Sequence, residues 1–321
     1  MSKIATITLN PAIDLTVRVD QFEPARVNRG QQMQMDAGGK GVNVASFLAD
    51  YGHATAVTGF LGRDNAAIFE QLFMQKRIED AFVRLPGQTR TGIKVIDEAR
   101  QQTTDINMPG LHPSEADVEQ LMARIEQLAT TCDWFVLAGH LPPGLPTGFY
   151  ATIIERLKTL GKHIVLDSSQ DALRAGAQAG PTILKPNIDE LRQLVERPLE
   201  NEVSIEQGAR QLLRDSVRLV VVSMGEQGAL FVDKHTTLVA QPLAVKVKST
   251  VGAGDAMVAG LIAGLTEDLS LIECARLATA FSAGTITRIG PHLPERPVLQ
   301  QYASQVQVRT LLPAPKSREN N

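Results

Sequence analysis

The chain has 321 residues, 43% hydrophobic and 21% charged, with a formal net charge of −3. That is enough chain for one large α/β domain or two smaller ones, and the charge gives no pull toward nucleic acid or anionic membranes. Two cysteines, Cys132 and Cys274, exclude a disulfide framework and a cysteine metal site; their apolar contexts read as buried free thiols. The N-terminal apolar run is too short for a signal peptide and no window reaches the ~20 apolar residues of a membrane span, so a cytoplasmic protein is expected.

Residues 4–9 alternate β-branched and small side chains and predict a buried first strand. Asn10-Pro11 ends it, and Asp14 follows at the carboxyl end of a strand, where open α/β sheets bind ligands. A solvated loop Asp is the plainer alternative. Residues 15–35 predict one or two strands outside the main sheet. Next comes a glycine-rich turn, Gly38-Gly39-Lys40-Gly41, running into a helix that ends near Gly52. Glycines around a Lys suggest a backbone cradle plus a cation for phosphate, although the spacing is not that of a P-loop. Asn43 lies one turn into that helix, on the side of the glycines.

A strand at 54–60 and a helix at 65–77 follow, then strands at 81–84 and 90–96 separated by Pro86-Gly87. Residues 103–107 pair naturally with the second of these. Together, segments 15–35 and 90–108 predict a small β-sheet lid, with Arg90 projecting from it. A lone Arg there is more often a solvated charge.

The rest alternates regularly: helix to 129, strand 132–138, helix 147–160, strand 163–167, helix 171–177, strand and turn 182–187, helix 204–215, strand 218–223 and hairpin 229–239. Asn187 and Glu190 share a helix start at i, i+3, which suits Mg²⁺ held through its waters. The same pair also fits a capping box. Ser249-Thr-Val-Gly-Ala-Gly-Asp255 then opens a small-residue helix, and helices at 255–265 and 271–288 finish the core. The amides of Ala253, Gly254 and Asp255 are the unpaired donors of a first turn, which attracts anions. An Asp beside such a hole is what transfer of a phosphoryl group to a hydroxyl needs: a base for the alcohol proton next to amides for the moving oxygens. An ordinary Gly turn with an Asp cap fits the same letters.

Strand and crossover helix repeated along the chain predict an α/β fold, a doubly wound, mainly parallel sheet flanked by helices. The expected organisation is a single domain over 1–312 with the lid inserted, and a polar tail at 313–321. Taken together, Gly38 to Asn43, Lys185-Pro-Asn-Ile-Asp-Glu190, Val222-Ser-Met-Gly225 and Ser249 to Asp255 resemble the ribokinase-like sugar kinases of the phosphofructokinase B family. The likeness spans nearly the whole chain. Within that family, Thr8-Leu-Asn-Pro-Ala-Ile-Asp14 and Thr89-Arg-Thr-Gly-Ile-Lys-Val95 are most like bacterial 1-phosphofructokinases.

The resemblance implies an ATP-dependent kinase acting on the 6-hydroxyl of fructose 1-phosphate. Tagatose 6-phosphate or fructose 6-phosphate as substrate, or a non-catalytic sugar-phosphate sensor, are the alternatives. Asp255 would be the base, with Gly252, Ala253 and Gly254 as the anion hole. Asp14, Gly38, Gly39, Asn43 and Gly139 would hold the sugar, with Arg29, Lys40 and Arg90 as candidates for its phosphate. Lys185, Asn187, Ser223, Gly225, Gly228, Thr250, Gly252 and Gly254 would line the nucleotide site, and Glu190 with Asn187 would organise Mg²⁺. Potassium dependence and a homodimer formed through the lid are also implied, with no nucleic-acid or membrane partner. One departure is Ala138-Gly139-His140, where relatives often carry Ser; it leaves the role of His140 open between ligand contact and turn residue.

Overall fold

In the computed structural model, which describes residues 3–100, 102–288 and 290–311, the apolar N-terminal run becomes β1 (Lys3–Thr8). It sits in the first of two compact units, formed by the chain up to Thr147 together with Gly290–His292. After β1 come β2 (Ala12–Val19), β3 (Gly30–Gly38), α1 (Lys40–Tyr51), β4 (Thr55–Gly62), α2 (Ala67–Lys76), β5 (Glu79–Asp80) and β6 (Val83–Leu85). The unit continues with β7 (Thr91–Asp97), β8 (Gln102–Asn107), α3 (Glu115–Ala129) and β9 (Cys132–Ala138). β9, β1 and β4 pair in parallel in that order, with the short β5 and β6 both on β4.

The two expected lid segments build one separate four-stranded sheet, ordered β3-β2-β7-β8. β2 pairs antiparallel with β3 and parallel with β7, and β7 antiparallel with β8. Because side chains alternate along a strand, register sorts this sheet into two faces. Leu15 stands opposite Met35 and Ile93, Ile93 opposite Ile106, and Val17 opposite Met33 and Val95, so one face is apolar. Asp14, Gly92 and Asn107 share the other. The root of the sheet is packed into the unit: Ile13 and Ala37 join a buried cluster with Val42 and Ala45 of α1 and Val57 and Leu61 of β4.

The second unit, from Gly148 to Ile289 and again after His292, begins with α4 (Phe149–Thr159) and β10 (His163–Asp167). Next are α5 (Gln170–Ala179), β11 (Ile183–Leu184), α6 (Ile188–Val195), α7 (Glu202–Leu212), β12 (Leu219–Ser223), β13 (Ala229–Asp233) and β14 (Thr237–Ala240). It ends with α8 (Ala253–Thr266), α9 (Leu271–Ile286), α10 (Arg296–Gln305) and β15 (Val308–Thr310). β10, β11 and β12 are parallel, and β13, β14 and β15 add antiparallel on the side of β12. The core therefore does not finish at α9. Pro297 in the first turn of α10 suits a helix start, and β15 closes onto β14. The expected tail at 313–321 lies outside the described residues.

α8 is buried from Asp255 to Gly264, as its small apolar sequence requires of a helix without a polar face. Cys132 and Cys274 are free and buried, and burial pushes the Cys274 thiol up to about 12. Among the described residues no helix is long and apolar enough to cross a membrane.

Candidate active site

The first unit gathers most of its predicted residues where β1, β3 and β9 end and α1 begins. Gly39 precedes α1 with φ of +114°, a conformation that L side chains rarely adopt, and a Cβ there would stand 3.0 Å from Pro11 and Thr8. Lys40 and Asn43 occupy the first turn of α1, Asn43 buried and its amide bonded to the Gly39 carbonyl at 2.9 Å. Gly38 leaves room for the Asp14 carboxylate, since a Cβ there would meet Asp14 Oδ2 at 2.5 Å. Gly139, with φ of +98°, lies against the start of α1, its Cβ direction meeting the Lys40 Cβ at 3.9 Å. His140 beside it is exposed.

Asp14 is paired with Lys94 of β7 at 3.0 Å. Arg90 donates from Nε to Asn10 Oδ1 at 3.1 Å, from Nη2 to the Asn10 carbonyl at 3.4 Å and from Nη1 to Asn107 Oδ1 at 3.3 Å. Burial pulls this guanidinium below its ordinary value and the Asp14 charge partly offsets that; it remains a cation. Arg90 is therefore not the solvated charge that a lone lid Arg suggests. Arg29 is the exception. It is exposed, at the far end of the β2–β3 hairpin, seven residues before the Asp36 that stands opposite Asp14. At ~3.4 Å per residue that is roughly 24 Å from the Asp14–Asp36 pair, so within one chain it does not join this group.

The second unit gathers the rest. Gly252, with φ of +80°, caps α8 without a side-chain hydrogen bond, and Asp255 is the third helical residue, 6% exposed. The Asp is thus not the cap that the plainer reading made it. The Ala253 amide leans on the Thr250 carbonyl at 3.4 Å, while the Gly254 amide is one of the first-turn donors to which a helix offers no acceptor. Lys185, 4% exposed, brings its ammonium to the same spot: a Cβ on Gly254 would lie 3.5 Å from Lys185 Nζ. The Lys is held by Asp167 at the end of β10, Nζ to Oδ2 3.3 Å. Tyr150, fully buried, has its phenol pushed up first by burial and then by the Asp167 charge. First-turn amides, a helix terminus and a buried cation thus lie together in the turn that carries Asp255, a setting that favours negative charge.

Ser223 ends β12, its amide bonded to the Pro186 carbonyl at 3.1 Å, and it bridges in parallel to Asn187. Gly225 and Gly228, with φ of +59° and +87°, bracket the short 3₁₀ turn Gly225–Gln227 that follows. Asn187 and Glu190 do form the capping box: Glu190 N donates to Asn187 Oδ1 at 2.8 Å and Asn187 N to Glu190 Oε2 at 2.9 Å. Among the described residues no group of three or more His, Cys, Asp or Glu side chains could ligate a metal directly. One half-buried carboxylate with a cap amide fits Mg²⁺ only as a partner for its water shell, the manner in which Mg²⁺ accompanies phosphates.

Sequence reasoning missed Asn10, Lys94, Asn107 and Asp167. Asp167 carries the same signal that singled out Asp14, a carboxylate at a strand's carboxyl end. Lys94 and Asn107 become visible only through the register of β2, β7 and β8.

The chain is similar to known proteins over nearly its whole length. The description "pfkB family carbohydrate kinase" matches residues 1–297. A 1-phosphofructokinase of Rhodobacter capsulatus is 47% identical over 312 residues, covering 97% of this chain and 99% of that protein. The crystal structure of phosphofructokinase-2 from Escherichia coli in complex with fructose-6-phosphate superposes with a TM-score of 0.87 at 29% identity, covering 95% of this chain and 99% of that one. The same Escherichia coli enzyme in complex with potassium gives 0.86 at 30%, with 95% and 99% covered.

Proposed function

The chain belongs to the pfkB family of carbohydrate kinases, and from that premise we propose that it transfers the terminal phosphoryl group of ATP to the 6-hydroxyl of fructose 1-phosphate. The observation that carries the reading is Asp255, buried at the start of α8 beside the Gly254 amide and the Lys185 ammonium. Asp255 accepts the proton of the attacking hydroxyl as the new O–P bond forms and the bond to the β-phosphate oxygen breaks, releasing ADP. Amides of Gly252 and Gly254, with Lys185, offset the charge on the moving phosphoryl oxygens. Bound with ATP, Mg²⁺ supplies further positive charge there, and Asn187 and Glu190 would hold it through water. The first unit supplies the sugar side: Asp14, the Gly38–Gly39 backbone and Asn43 for hydroxyls, Arg90 and Lys40 for the phosphate. We include potassium dependence on the strength of the potassium-bound relative.

A homodimer formed through the small sheet, in the cytoplasm, completes the proposal. Its apolar face leaves Met33, Met35 and Ile106 exposed by 66%, 51% and 45%, more than a solvated sheet face would carry. Met33→Glu should then halve the sedimenting mass.

Initial rates with Mg-ATP against fructose 1-phosphate, fructose 6-phosphate and tagatose 6-phosphate test the reaction. A kcat/KM at least about a hundredfold higher for fructose 1-phosphate is expected. Preference for tagatose 6-phosphate would keep the chemistry and reassign the sugar; binding without turnover would leave a sensor.

A further inference from the structure

We propose that Asn10 is the positioning residue for Arg90, setting its guanidinium for the sugar phosphate, with Asn107 as a second hold from the small sheet. This rests on the reading of Arg90 as the phosphate cation. Asn10 takes two of the guanidinium's donors by itself, Nε on its side-chain oxygen and Nη2 on its own carbonyl, and Asn107 takes a third from Nη1. An Arg has five N–H groups, so two remain, one on each Nη, the number a bidentate phosphate contact uses.

The Asn10 amide is itself fixed. Its nitrogen donates to the Leu141 carbonyl at 3.4 Å, which leaves the oxygen to face Arg90. Gly110 makes room for it, because a Cβ there would lie 2.2 Å from Asn10 Oδ1. Strand β7 begins next to Arg90, whose carbonyl accepts from the Ile13 amide at 2.8 Å, so both ends of the residue are anchored. A free Arg side chain gives up rotamer entropy when it is ordered. Here that ordering precedes the ligand.

The test is steady-state kinetics of Asn10→Ala, Gly110→Ala, Arg90→Ala and the double variant Asn10→Ala/Arg90→Ala, with Tm measured for each. Asn10→Ala should raise KM for fructose 1-phosphate about tenfold or more, with KM for ATP and kcat within about twofold. Gly110→Ala, whose added methyl would meet Asn10 Oδ1 first, should do the same by displacing the Asn10 amide, and it stands in if Asn10→Ala does not fold. Adding Asn10→Ala to Arg90→Ala should change KM by less than about twofold, since the two act through one contact. If Arg90→Ala raises KM but neither Asn10→Ala nor Gly110→Ala does, the positioning role is wrong and the phosphate reading stands. Should Arg90→Ala itself leave KM unmoved, the phosphate reading falls and this proposal with it. A lower Tm with KM for both substrates rising together would mean that Asn10 only holds the fold.

Discussion

The two groups of functional side chains are built in opposite ways. In the second unit the charges are deeply buried, Asp255 6% exposed, Lys185 4% and Asp167 1%, and Lys185 is already paired with Asp167. Asp255 stands at the start of a helix that is buried on all sides, while Lys185 follows β11 and Asp167 ends β10. In the first unit the ion pair of Asp14 and Lys94 keeps 23% and 17% of its side-chain surface, and it sits on strands of a four-stranded sheet whose other face is apolar. The difference fits the roles proposed for the two groups. Charge developing in a transition state is stabilised most by dipoles and cations fixed in advance in a dry setting, whereas groups that recognise a sugar must admit it from water.

Disabling the buried group should act on kcat and disabling the exposed one on KM. The largest effect is expected for Asp255→Asn, a loss of about 10³-fold or more in kcat with sugar-phosphate KM nearly unchanged. Retention of turnover within tenfold would show that the proton goes elsewhere. Lys185→Met should lower kcat by about 10²-fold, the usual loss for one stabilising group, and should also lower Tm because the Asp167 carboxylate is left buried without its cation. A KM effect alone would move Lys185 out of the transition state. Asp14→Ala should raise fructose 1-phosphate KM about 30-fold, worth ~2 kcal/mol of charged hydrogen bonding, and leave the ATP KM in place. A comparable change in both constants would erase the contrast between the groups. The smallest effect is expected for Asn187→Ala. Loss of the cap should cost ~1 kcal/mol, seen as a Tm lower by a few degrees in calorimetry, together with a weaker dependence on Mg²⁺ concentration if the cap pair also holds the metal's water. An unchanged Mg²⁺ profile would leave Asn187 and Glu190 as a cap alone.

Much of this was legible in the letters. Gly252 and Gly39 announce positive φ, the all-apolar run after Asp255 announces a buried helix, and alternation in 15–35 and 90–108 announces strands outside the core; each is a local preference that the chain carries with it. The Asn187–Glu190 spacing fits both a water-held metal and a cap, and only the folded structure shows the cap formed. The end of the chain was read short because α10 and β15 take their stability from packing and an edge pairing, not from periodicity.

Sequence by itself determined the helix starts, the strand exits and the chemistry available at each, because capping, turn formation and binary patterning act over a few residues. Tertiary structure alone decided which of those groups meet. Arg29 and Arg90 read alike as phosphate cations, yet strand register sends one to a hairpin end and folds the other against Asn10. Lys185 reads as one more strand-exit cation until Asp167 and Gly254 close on its ammonium. Partners distant along the chain are joined by burial and sheet pairing, and no local preference encodes them.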